Sequence, residues 1–158
     1  MTNYFKDKKI TVMGLGLLGR GVGDVEFLAQ NGADLIVTDL KTKKQLQVSL
    51  DRLKKFKKIK YVLGKHRLED FKDRDMILKS AGVPLDSIYI KEAKKNKIPV
   101  EMSASLVAKL SDAKIIGITG TRGKSTVTQM IYEILKASKK KVFLGGNVRG
   151  IATLPLLE

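Results

Sequence analysis

A chain of 158 residues is long enough for one ordinary domain, or for a small domain with part of another, and its core can fold without staples. It has no cysteine and a single histidine, which excludes a disulfide framework and thiolate zinc sites and leaves almost no material for a histidine-based catalytic centre. Lysine and arginine number 31 against 16 acids, a net charge of +15, but they are spread along the chain with no stacking aromatics between them, which argues against a specific nucleic-acid partner.

In chain order the pattern alternates. KITVM follows the N-terminus, then comes a helix over Arg20–Asn31, the run DLIVT, and a helix over Lys43–Lys57. In that second helix Leu46, Leu50, Leu53 and Phe56 share one face and the lysines occupy the solvated one. KYVL, DMILK, a helix over Asp86–Lys95 and IPVE complete the series. Short apolar strands alternating with helices are the pattern of a parallel sheet covered on both faces, because parallel neighbours require crossover connections. The expected fold class is therefore α/β, with a Rossmann-like parallel sheet. A polar break at Ser111–Asp112 then precedes a second apolar run, KIIGI, so two units are expected, 1–111 and 112–158. In the second, KIIGI and KVFLGG read as strands flanking a helix whose Val127, Met130, Ile131, Ile134 and Leu135 form one apolar stripe. The N-terminal stretch MTNYFKDKKITVMGLG has no apolar signal core and no run approaches the ~20 residues of a membrane span, so a cytoplasmic location with no membrane partner is expected.

Two glycine loops carry the chemistry. MGLGLLGRG places Gly14, Gly16 and Gly19 in a G-x-G-x-x-G arrangement between the first strand and first helix. Glycines there permit a tight turn and close approach of backbone to phosphate, and the helix N-terminus offers N–H groups and positive dipole charge. Asp39 ends the second strand, where an acid can meet a ribose or base. The fingerprint alone does not choose between NAD and another nucleotide. In the second loop, GITGTRGKST, Gly120, Thr121, Arg122 and Gly123 lead into Lys124, Ser125 and Thr126. Successive N–H groups, a lysine for the terminal phosphates and a hydroxyl for Mg²⁺ are the needs of a triphosphate cradle. The spacing departs from the usual P-loop, since Ile118 stands where a glycine belongs and Gly117 comes one position early. His66, in GKHRLEDF, has no partner acid or serine placed by any motif and reads as a surface loop residue.

GLGLLGRG, VTDLK, KSAGVP, GITGTRGKSTVT and GGNVRG occur in the order and spacing seen in the Mur ligases of peptidoglycan synthesis, and the whole chain resembles that family, particularly its D-glutamate-adding branch. The resemblance implies an ATP-dependent acid–amino-acid ligase. It would use ATP and Mg²⁺, and its substrates would be a UDP-linked muramoyl compound and D-glutamate. A uridine-nucleotide domain would come first and a P-loop ATPase domain second. By the same resemblance Gly14, Leu17 and Leu18 would lie at the substrate's diphosphate, with Asp39, Leu40 and Lys41 near uridine and Ser80 and Gly82 beside it. Asn147 would reach the substrate from the second domain, and Lys124 and Ser125 would serve ATP and Mg²⁺, Lys124 catalytically and Ser125 as the metal ligand. The chain departs from the family strings at Leu18, Ala81, Arg122 and Arg149. After Ser125 the only acids are Glu133 and Glu158, so the expectation is the front part of a longer enzyme, able to bind substrate but not to turn over ATP, with the apolar stripe of the second unit free for self-association. A stand-alone nucleotide-binding module, with NAD in the first loop, is the alternative.

Overall fold

A computed structural model describes residues 2–17, 19–146 and 150–158. Five strands form one sheet: β1 (Lys9–Met13), β2 (Asp34–Asp39), β3 (Lys60–Leu63), β4 (Met76–Lys79) and β5 (Val100–Glu101). All pairings are parallel and the order is β3-β2-β1-β4-β5, so the sheet runs outward from β1 in both directions. The expected α/β class is observed.

The central strands β1, β2 and β4 are largely buried on both faces, and side-chain alternation sorts their residues into two cores. Ile10, Val12, Met76 and Leu78 face α1 (Arg20–Gln30), α2 (Gln47–Leu53) and α4 (Ser103–Leu110). Met13 and Ile77 face α3 (Ile88–Lys95) with Phe71, Ile90, Ala93 and Ile98. The helix expected over Lys43–Lys57 is shorter than its periodicity suggested. At its start Thr42 and Gln45 close a capping turn, the Gln45 side chain accepting the Thr42 N–H at 2.9 Å and the Thr42 hydroxyl accepting the Gln45 N–H at 3.4 Å, and regular helix runs only over Gln47–Leu53. Its apolar face is as expected: Leu46 and Leu53 are fully buried.

Residues 112–158, expected to form a second unit, differ from their sequence pattern. Helix α5 (Lys124–Ala137) forms, but none of its residues is buried, and Val127, Met130 and Ile134 of the apolar stripe are exposed. Neither KIIGI nor KVFLGG becomes a strand; Ile115, Ile116 and Phe143 are about half or more exposed. A strand exists only as a member of a ladder, and the described residues supply no neighbour for either run. The chain then returns to the first sheet. A 3-10 turn at Leu154–Leu157 packs on α1 and α4, and Leu154, wholly buried, joins the larger core, a burial worth about 1.5–3 kcal/mol. No helix among the described residues is long and apolar enough to cross a membrane.

Candidate functional site

The order of the sheet reverses between β1 and β4, and the loops leaving their C-terminal ends diverge there, which is where open α/β sheets bind ligands. Gly14 follows β1 with φ +94°, and a Cβ on it would lie 2.5 Å from the Ser80 hydroxyl that follows β4. Only glycine lets these two loops approach so closely. Between and around them is a cleft of about 470 Å³, lined by Gly14, Gly16, Leu17, Arg20, Lys41 and Ser80 among others.

Each loop is fixed by a side chain from the sheet. Asp39, almost completely buried, accepts the Gly16 N–H at 3.0 Å on one carboxylate oxygen and the Lys41 N–H at 2.9 Å on the other. The Ser49 hydroxyl donates to the Gly16 carbonyl at 3.3 Å, so both sides of that residue are held. Lys79, the last residue of β4, is also buried, and its ammonium donates to the carbonyls of Ser80 at 3.2 Å and Val83 at 2.9 Å, tying the turn that presents Ser80. Gly19 caps α1 in the left-handed conformation without a side-chain cap, leaving the helix's positive end facing the cleft with Arg20 beside it.

Of the residues picked from the sequence, Gly14, Leu17, Lys41 and Ser80 meet at this cleft, and Asp39 lies behind it holding the loop. Leu40 is exposed, and neither it nor Gly82 is among the lining residues. Leu18 and Asn147 lie outside the described residues. Arg20, Lys79, Asp24 and Ser103 also line the cleft and were not singled out from sequence. A lysine ending the buried run DMILK was the available signal for Lys79, since a buried ammonium must find acceptors. His66 is not the plain surface residue expected. It packs edge-on against Tyr89 and Phe71, with Nδ1 2.6 Å from the Thr38 hydroxyl. Burial holds its pKa below the usual 6.5, while the carboxylates of Asp39 and Asp70 oppose that fall.

No residue of the second glycine loop is among those lining this cleft. Gly120 and Gly123 have φ of +144° and +75°, and Gly123 caps α5. Lys124 reaches back across the loop to donate to the Gly120 carbonyl at 2.6 Å. Thr121, Arg122, Lys124, Ser125 and Thr126 are all exposed. The backbone turn and the lysine fit a phosphate, and Ser125 offers a hydroxyl, but no cluster of three metal-ligating side chains occurs among the described residues.

The family model described as Mur ligase MurD-like, N-terminal domain, matches residues 8–101, and that of the Mur ligase middle domain matches residues 118–155. The chain is 40% identical to a UDP-N-acetylmuramoylalanine–D-glutamate ligase of Borreliella burgdorferi over 100% of its own length and 34% of that protein's. With the Borreliella afzelii protein of the same name it is 42% identical over 97% of its length and 33% of the relative's. It thus spans about a third of the length of the curated relatives it matches. Among solved structures, the precorrin-2 dehydrogenase SirC superposes with a TM-score of 0.50 at 19% identity, covering 85% of this chain and 67% of that one, a likeness of fold alone. With the sheet, the two glycine loops and these matches in agreement, the chain belongs to the Mur ligase family, in the group defined by the MurD-like N-terminal domain.

Proposed function

We propose that this chain is the nucleotide-binding front part of a cytoplasmic ATP-dependent ligase that joins D-glutamate to UDP-N-acetylmuramoyl-L-alanine. The ligase reaction in this reading activates the L-alanyl carboxylate with ATP as an acyl phosphate, and the D-glutamate amine displaces the phosphate. Within the chain, the cleft between β1 and β4 holds the uridine nucleotide. The α1 N-terminus and Arg20 face its diphosphate, Lys41 lies at the nucleoside end, and the Ser80 turn forms the opposite wall. Gly120–Thr126 would hold the ATP phosphates, with Lys124 on the terminal phosphates and Ser125 as a Mg²⁺ ligand. ATP would supply the phosphoryl group that activates the carboxylate.

The observation that carries this reading over an NAD-binding one is the state of Asp39. A dinucleotide fold uses the acid at the end of its second strand to bind the ribose diol. Here both Asp39 oxygens are engaged by backbone N–H groups and the side chain is buried. Calorimetry on this chain should show binding of UDP and UDP-N-acetylmuramic acid and none of comparable strength with NAD. A clear preference for NAD would overturn the assignment.

The exposed stripe of α5 leads to a further expectation about association. Val127, Met130 and Ile134 lie in water, and burying such a stripe is worth several kcal/mol, on the order of 1.5–3 kcal/mol for each side chain fully covered. We propose that copies of this chain associate through it. Light scattering coupled to size exclusion should show species larger than a monomer, and Met130→Lys with Ile134→Lys should return the monomer. A strictly monomeric wild type at high protein concentration and high salt would disprove this.

A further inference from the structure

Asp24 sits in the middle of α1, about 95% buried, and no part of the nucleotide-binding reading accounts for it. Its Oδ1 accepts the N–H groups of Thr153 at 3.0 Å and Leu154 at 2.9 Å, and its Oδ2 accepts the Ser103 hydroxyl at 2.5 Å. One carboxylate therefore joins three stretches of chain: α1, the start of α4, and the returning segment more than a hundred residues away. Packing agrees with the bonding. A Cβ on Gly23 would meet the Ala152 Cβ at 2.5 Å, so the segment lies directly on the helix at a position that only glycine leaves open. Gly150 lies in ordinary van der Waals range of the glycine loop, its Cα 3.9 Å from a Cβ built on Gly19. Gly146 and Thr153 line the nucleotide cleft together with Asp24 and Ser103.

We infer that Asp24 is a positioning residue for the nucleotide cleft: it holds the returning segment in register on α1, so that residues of the second unit complete the cleft wall. Leu154 gives the segment its apolar anchor, but apolar burial is non-directional and tolerates sliding. Two adjacent N–H groups meeting one oxygen do not, because a shift of one residue leaves a buried donor unpaired. Burial favours the uncharged carboxyl, raising its pKa above the ordinary 3.8 against the pull of the Ser103, Leu154 and Thr153 bonds. An asparagine keeps the shape of the side chain and one acceptor oxygen. Its oxygen serves both amides and its NH₂ can donate to the Ser103 hydroxyl, whereas alanine leaves all three donors without an acceptor.

The inference rests on the uridine-nucleotide reading of the cleft, and the test separates the two. Wild type, Asp24→Ala and Asp24→Asn of the whole chain are compared by amide hydrogen exchange and by calorimetry with UDP. In Asp24→Ala the amides of Thr153 and Leu154 should lose protection while those of Ile10–Met13 keep theirs, and the dissociation constant for UDP should rise on the order of tenfold. Asp24→Asn should match wild type in both. If Asp24→Ala fails to fold, Ser103→Ala removes one of the three bonds and should give the same changes in smaller measure. Unchanged protection at Thr153 and Leu154, or lost protection with unchanged UDP affinity, overturns the positioning role. A wild type that binds no UDP counts instead against the nucleotide reading, and the exchange data then decide whether the clasp itself exists.

Discussion

Replacing Gly21 by alanine should destabilise this protein by about 3 kcal/mol, although the same change in an unconstrained helix would stabilise it by about 1 kcal/mol. Gly21 is the second residue of α1 and is not one of the three fingerprint glycines. Its missing side chain is what allows the helix to start against the loop. A Cβ there would lie 2.2 Å from the Leu15 carbonyl oxygen, 3.0 Å from the carbonyl carbon, and 3.3 Å from the Gly14 carbonyl oxygen. All three are backbone atoms that cannot rotate away. Relief requires α1 to tilt off the sheet, or Gly14–Gly16 to shift, which would break the Gly16 bond to Asp39. For a chain of this size the cost corresponds to a fall in Tm of about 10 °C. Gly117→Ala is the control, because a Cβ there meets nothing within 4 Å and should leave Tm unchanged. A Gly21→Ala protein as stable as wild type would show that the strand-to-helix junction is looser than its geometry indicates.

The second large effect is expected at Asp39, where asparagine is a harmful substitute. The carboxylate is an acceptor on both oxygens, and both are used, by Gly16 N–H and Lys41 N–H. Asparagine has one oxygen, so its NH₂ must face one of those donors, and a buried N–H loses its partner. The expected loss is about 2 kcal/mol of stability, and UDP affinity should fall with it as the glycine loop loses its anchor. The single histidine gives an independent reading. The Asp39 carboxylate favours the imidazolium form of His66 and so raises its pKa, while burial lowers it. Removing the charge in Asp39→Asn leaves burial less opposed, so the His66 pKa, followed by NMR, should drop further below 6.5. A rise in that pKa, or an unchanged stability, would contradict the arrangement described here. The contrast with Asp24 is instructive. There asparagine should be tolerated, because two of the three donors share one oxygen and the third is a hydroxyl that can itself accept.

The division between what was legible in the sequence and what was not follows the range of the interactions concerned. The strands KITVM, DLIVT, KYVL and MILK, the helices between them and both glycine loops are written in neighbouring residues. Strand and helix periods are properties of a few consecutive side chains, and a positive φ is a property of one glycine. The resemblance added a ligand class to these local signals. It could not supply the bonds that hold the site, because those join residues far apart in the chain. Asp39 meets Gly16 across 23 positions, Ser103 meets Asp24 across 79 and Thr153 meets Asp24 across 129. Any acid reads alike in sequence, and only the packed structure assigns it to a ligand or to the backbone. KIIGI and KVFLGG show the converse. Both carry the side chains of strands, and their composition determined that they could be strands. Whether they are depends on hydrogen-bonding neighbours, and the described residues provide none. A helix closes its hydrogen bonds within its own segment, so α5 forms with its apolar stripe in water. A strand cannot do this, because its backbone donors and acceptors point sideways to a partner that only the tertiary structure can supply.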